Sequence, residues 1–251
     1  MLCGSLRAEL LEFAHRRCTA VRSSSANLPR ESPPALVPKN GLLREAGAVK
    51  AVIIVAGVNG SGKSTLTRDK DFLRAQEDSL GPFEVLNPDV QTSAYSSSYP
   101  QFSIDALNLC GVLETERRVW KHIAEGSSCL VETVLSSQKF FPVINAAKAN
   151  GFRTRMVYCA LPSVELAVAR VELRVSEGGH DVPGTKIRSR WNSSLDNFVR
   201  LAAIVDEVVL VNNAGENPVE IGYKNLNGQL ELVDAGSVPD LSRRLGRAKA
   251  T

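Results

Sequence analysis

The sequence contains no run near the roughly 18 consecutive apolar residues that a membrane-spanning helix requires, which excludes a chain anchored by such a helix. A strong charge of either sign is also missing. Lysine and arginine number 30 against 27 aspartates and glutamates, a surplus of +3 over 251 residues. Nucleic-acid surfaces need clustered cations and a high pI, so no nucleic-acid partner is expected. Cysteine offers no metal site. The five thiols, Cys3, Cys18, Cys110, Cys129 and Cys159, are odd in number, widely spaced and without any Cys-x-x-Cys pair. Cys129 and Cys159 fall in apolar, strand-like runs and read as buried thiols of a reducing compartment. Internal repeats are absent as well. What remains, with 43% apolar residues, is the composition of a globular core, and the expectation is a soluble cytoplasmic protein with no membrane partner.

The first fifty residues lack aspartate altogether. They carry several arginines, the run Ser23-Ser24-Ser25, and prolines at 29, 33, 34 and 38, so residues 1–48 read as an extension separate from the domain at 49–251. Two readings of it compete. An Arg- and Ser-rich amphipathic start with a short helix at 6–17 suits a targeting peptide, while Glu9 and Glu12 favour a disordered or loosely docked extension.

From Val49 onward, strand-like runs at 51–56, 83–86, 128–132, 154–160 and 208–211 alternate with helix-length segments at 63–75, 104–125, 139–150, 163–176 and 194–203. This order predicts a three-layer α/β/α sandwich of the P-loop NTPase class around a mainly parallel five-stranded sheet. Two further alternating runs, 221–226 and 229–233, flank Asn227-Gly228, a strong two-residue hairpin signal, and predict a C-terminal antiparallel add-on with a short helix by residue 247.

The segment Gly57-Val58-Asn59-Gly60-Ser61-Gly62-Lys63-Ser64 fits Gly-x-x-x-x-Gly-Lys-Ser and sits between the first strand and a helix-compatible stretch. Phosphate chemistry requires that setting. Glycines allow positive φ, so the N–H groups of Gly57, Asn59, Gly60, Ser61 and Gly62 can approach phosphate oxygens, and the helix through Lys63, Ser64 and Thr65 aims its positive dipole end at them. Lys63 would reach the β and γ phosphates of ATP (or GTP), and Ser64 would supply its hydroxyl to Mg²⁺.

A tandem-acid motif of the ATPase kind is present only on paper, at Ala202-Ala203-Ile204-Val205-Asp206-Glu207. The strand starts after the two acids, which puts them on the edge away from the phosphates as a solvated pair at a helix-to-strand junction. Asn212 and Asn213 end that strand on the ligand side and would lie near a nucleotide base. Asp89, in Asn87-Pro88-Asp89 past the second strand, is a candidate base for an acceptor hydroxyl, with an N-cap or turn role as its rival. Glu132 ends the third strand and would hold Mg²⁺ through water or bind the acceptor. Arginines can offset the charge that develops on a moving phosphoryl group. Arg170 and Arg174 lie four apart, and Arg188 and Arg190 follow the break Gly178-Gly179-His180-Asp181-Val182-Pro183, which suits a hinge.

Taken with Ala56 through Thr65, the segments Asn87-Pro88-Asp89, Glu132-Thr133-Val134-Leu135-Ser136-Ser137 and Gly178 to Pro183 with Ile187, Arg188 and Arg190-Trp191 resemble the zeta toxin family of P-loop kinases. The similarity runs from about residue 50 to 213. It implies a kinase that phosphorylates a hydroxyl of a small molecule such as UDP-N-acetylglucosamine and is held in check by an antitoxin. It further implies Asp89 as the acceptor-activating aspartate, Lys63 as the cradle lysine, Glu132 at the substrate, and Arg174 with Arg188 or Arg190 facing the ATP phosphates. The alternative is a nucleotide-binding regulatory protein that hydrolyses ATP slowly.

Overall fold

A computed structural model describes residues 49–248 apart from His180, Glu216 and Asn227. The predicted extension at 1–48, His180 of the hinge segment and Asn227 of the hairpin turn therefore lie outside the described residues.

Every residue of strand β1 (Ala51–Ala56) is buried, as an unbroken apolar run demands of a parallel strand covered on both faces. β3 (Cys129–Thr133) and β4 (Arg153–Ala160) pair with it on either side. With β2 (Glu84–Leu86) outside β3 and β5 (Glu207–Asn212) outside β4, five strands run parallel. The order β2-β3-β1-β4-β5 makes β1 a topological switch point, where the crevice beyond the strand ends receives ligands. β6 (Val219–Lys224) and β7 (Glu231–Leu232) follow antiparallel, so the expected add-on continues the main sheet to seven strands.

Successive β1 side chains feed two apolar clusters. Ala51, Ile53 and Val55 join Leu80, Phe72 and Leu73 on one face. Val52, Ile54 and Ala56 join the larger core under the remaining helices on the other. The predicted single helix 63–75 is two, α1 (Lys63–Leu66) and α2 (Lys70–Leu80). Asp69 causes the break, since its carboxylate accepts the N–H of Asp71 and Phe72, both at 2.9 Å, and starts a new helix.

Helix α3 (Pro88–Ser98) has no counterpart among the predicted helices. Its serines suggest a loop. In the fold, Ser93, Ser97 and Ser98 turn their hydroxyls onto carbonyls four residues back, and the helix packs on α4 (Ile104–Glu125) where Gly111 leaves room for Thr92 and the Pro88 carbonyl. α5 (Phe140–Ala149) and α6 (Val164–Ser176) lie close to prediction. α7 (Gly184–Ile204) begins ten residues earlier than expected, because Ile187 and Trp191 extend the buried stripe of Leu195, Phe198 and Leu201. α8 (Pro239–Ala248) closes the domain, burying Leu241 and Leu245. No helix among the described residues is long and apolar enough to cross a membrane.

Candidate active site

The loop after β1 is shaped by its neighbours as much as by its glycines. Gly57 has φ 145°, and a Cβ there would stand 2.5 Å from the Cys159 carbonyl oxygen. Gly62 has φ 82°, with the Asn213 amide filling the space a side chain would need. The same Asn213 donates its Nδ2 to the Ser61 carbonyl at 2.8 Å, bracing the loop from the end of β5. Asn212 accepts from the Ala214 N–H at 3.0 Å, holding the turn that follows β5. The Ser61 hydroxyl is fully buried and has no hydrogen-bond partner among the described residues. An orphan hydroxyl in a loop of this shape suits an anion.

Lys63 folds back so that its Nζ donates to the Val58 carbonyl at 3.0 Å. Part of the residue stays accessible, but the protein around the amine strips water from it and lowers its pKa. The carboxylates of Glu132 and Asp89 work against that shift, and the Arg174 guanidinium adds to it.

Glu132, 5% exposed, is the hub. Its carboxylate accepts from Ser64 Oγ at 2.8 Å, from Asn87 Nδ2 at 2.7 Å and from the Thr67 hydroxyl. One carboxylate thus ties β3 to the cradle helix and to the segment after β2. Asn87 is double-ended: its Oδ1 accepts the Asp89 N–H at 2.8 Å as the N-cap of α3, with Pro88 in the first turn. Asp89 is therefore an exposed first-turn residue on the ligand edge, its backbone N–H held by an asparagine that Glu132 holds in turn.

The arginines divide. Arg190 Nη1 lies 3.4 Å from Asn59 Oδ1 in the cradle, and partial burial lowers its pKa. Arg174 is in the last turn of α6, where the turn at Gly178 brings the Gly179 N–H back to its carbonyl at 2.8 Å. Arg170 is a strut, donating to the carbonyls of Asn213 at 2.5 Å and Ala214 at 2.7 Å. Arg188 is not brought to the cradle: it pairs with Glu165 at 2.8 Å on a surface where both are about half exposed or more.

Asp206 and Glu207 lie at the starting edge of β4 and β5, away from the phosphates as expected, but they are not solvated. Asp206 accepts from Thr154 N–H and Oγ1, each at 2.8 Å, and from Lys148 at 2.7 Å. Glu207 pairs with Arg155 at 2.7 Å and Arg153 at 3.2 Å. Arg153, Thr154 and Arg155 open β4 one after another beside the start of β5, and this supplies the partners. Cys129 and Cys159 are buried, and burial pushes both thiols up to about 12.

No family model matches the sequence. An uncharacterised protein of Haemophilus influenzae is 27% identical over 146 residues, covering 55% of this chain and 91% of its own. A chain of the AvrRxo1-ORF1:-ORF2 complex with ATP superposes with a TM-score of 0.60 at 19% identity, covering 78% of this chain. A chain of the PezAT chromosomal toxin–antitoxin system of Streptococcus pneumoniae superposes at 0.54 and 18% identity, covering 80% of this chain and 79% of that one. The two solved chains share its fold. The chain spans 64% of the length of the AvrRxo1 chain. With the cradle at the end of β1, the fold is the P-loop α/β/α sandwich expected from the sequence.

Asn87, Thr67, Asn213 and Arg170 were not assigned these roles from sequence. Asn87 carried a signal, an asparagine before proline at a helix start. The others become partners only through long-range packing.

The residues present fit a magnesium nucleotide. Among the described residues no cluster of three or more His, Cys, Asp or Glu gathers, whereas Mg²⁺ in kinases is held by one or two protein oxygens together with substrate phosphates. Ser64 and Glu132, adjoining through one hydrogen bond, supply such oxygens.

Proposed function

We propose that this protein is an ATP-dependent small-molecule kinase that transfers the γ-phosphoryl group to a hydroxyl, such as that of the amino sugar in UDP-N-acetylglucosamine. The carrying observation is Glu132, which joins the cradle serine to Asn87 and so sets Asp89 at the edge where the phosphates would lie. The fold shared with an ATP complex and a toxin–antitoxin chain supports the reading, as does the zeta-toxin resemblance of the motifs. A protein antitoxin as partner belongs to the same proposal.

In this mechanism the loop N–H groups and the Ser61 hydroxyl hold phosphate oxygens, and Lys63 exchanges the Val58 carbonyl for the β and γ phosphates. Ser64 and Glu132 would hold Mg²⁺, which would offset the charge of the phosphates. Asp89 accepts the proton of the acceptor hydroxyl as its oxygen attacks the γ phosphorus, with ADP leaving. Arg190 and Arg174 stabilise the charge on the transferred group.

The test is mass spectrometry of a bacterial metabolite extract, and separately of UDP-N-acetylglucosamine, incubated with protein, ATP and Mg²⁺. The expected result is a species heavier by one phosphoryl group, formed about 10²–10⁴-fold more slowly by Asp89→Asn. ATP consumption with no phosphorylated product in either mixture, undiminished in Asp89→Asn, would replace this reading with that of a slow regulatory ATPase.

A further inference from the structure

Helix α7 carries polar residues where its apolar stripe should continue. Ser194 is fully buried and Asn197 is 5% exposed, between the buried Trp191 and Leu201. With Arg190 they fall at i, i+4 and i+7, along one face. Ser194 Oγ donates to the Val134 carbonyl at 2.6 Å and meets the Tyr158 hydroxyl at 2.8 Å. Asn197 Nδ2 donates to the Leu135 carbonyl at 2.9 Å.

The segment they grip is strained. Leu135 is the single non-glycine residue with positive φ among the described residues, at 59°, and its side chain is 1% exposed. Left-handed backbone is disfavoured for leucine, and it persists where surrounding contacts over-determine it. Those contacts are present: the Leu135 N–H donates to Thr133 Oγ1 at 3.1 Å, α7 holds the carbonyls of Val134 and Leu135, and the core takes the side chain. The strained turn begins three residues after Glu132, where β3 ends on the ligand edge.

We infer that Asn197 and Ser194 are positioning residues for phosphoryl transfer. One face of α7 holds the Val134 and Leu135 carbonyls around the left-handed Leu135 and, one turn earlier, brings Arg190 to Asn59 of the cradle. The acceptor-side loop and the phosphate-side arginine are thereby set by the same rigid helix. The inference rests on the kinase reading, in which the loop after Glu132 borders the acceptor. Leucine at 197 would keep the number and branching of heavy atoms of asparagine, but it would leave the Leu135 carbonyl without its donor and free the turn to relax.

The test uses the full chain with ATP, Mg²⁺ and the bacterial extract, comparing wild type with Asn197→Leu, Asn197→Gln and Ser194→Ala. Amide hydrogen exchange over 133–137 should quicken about tenfold in Asn197→Leu, while exchange over 57–66 stays at the wild-type rate. The rate of product formation at saturating ATP should fall about tenfold or more, with the KM for ATP within about twofold of wild type. Asn197→Gln, which keeps an amide donor, should recover part of both. Unchanged exchange at 133–137 overturns the clamp, and faster exchange with unchanged turnover overturns its role in transfer. A merely structural role would show as equal losses in KM and turnover, with exchange quickened across the domain. If wild type forms no product, the kinase reading fails, and the clamp is decided by exchange alone.

Discussion

Lys63 shows how a single functional residue can work against the fold that carries it. Its amine is desolvated and has a carbonyl as hydrogen-bond partner, an arrangement that the proposed phosphate would complete. Burial lowers its folded-state pKa below the ordinary 10.5, so between those two values the unfolded chain binds more protons than the native one. Stability withheld at neutral pH is therefore regained as pH rises through that window. We expect Lys63→Met to unfold in urea at a midpoint no lower than wild type at pH 7.5, while losing about 10²-fold or more in transfer. The gap in midpoint should narrow toward pH 10. A gap that does not change with pH would assign it to packing and not to the buried charge.

At the scale of elements, the junction of β2 and α3 makes the active edge. Asn87 caps α3 with one end of its amide and meets Glu132 with the other, so the cap fixes both the helix start and the carboxylate that holds Ser64. Asn87→Ala should cost about 1–3 kcal/mol in urea unfolding, combining a lost cap with a buried carboxylate short of one donor. Transfer should fall while ADP affinity, measured by calorimetry, moves little. Aspartate is as good a cap by propensity, yet Asn87→Asp should be worse than Asn87→Ser, because it sets a second carboxylate against Glu132. Equal stability of the two variants would mean that the Asn87–Glu132 contact contributes nothing. Sequence pattern misses α3 because its serines favour turns, and only α4, made approachable by Gly111, makes the helix worth forming.

Across the whole molecule, the two edges of the sheet do different work. The ligand edge carries incompletely satisfied groups, whereas the opposite edge is closed by ion pairs, with Asp206 binding α5 through Lys148 and β4 through Thr154. Burial alone would raise the Asp206 pKa, but the Lys148 ammonium and the Thr154 N–H and hydroxyl outweigh it and lower it. Its contribution is thus present above the ordinary carboxylate pKa and lost as pH falls through the lowered one. Asp206→Asn should be less stable than wild type at pH 7 and should flatten the acid limb of a urea-midpoint profile between about pH 5 and 3. Parallel profiles would remove Asp206 from the acid response. Likewise Lys224 of β6 donates to the carbonyls of Ala202, Ala203 and Val205, closing the end of α7 and tying the hairpin to the body of the fold. Legible in the residues were the alternation of strands and helices, the glycine cradle with its lysine and serine, and the rejection of Asp206-Glu207 as a phosphate-side pair. Those follow from apolar periodicity, from backbone freedom at glycine and from which end of a strand a residue occupies, all local properties. Folding was needed to show that Glu132 bridges Ser64 and Asn87, that Arg190 reaches the cradle while Arg188 pairs with Glu165, and that Leu135 is held left-handed. Each depends on a partner brought from a distant element, and which of several chemically equal arginines or carboxylates meets that partner is set by packing.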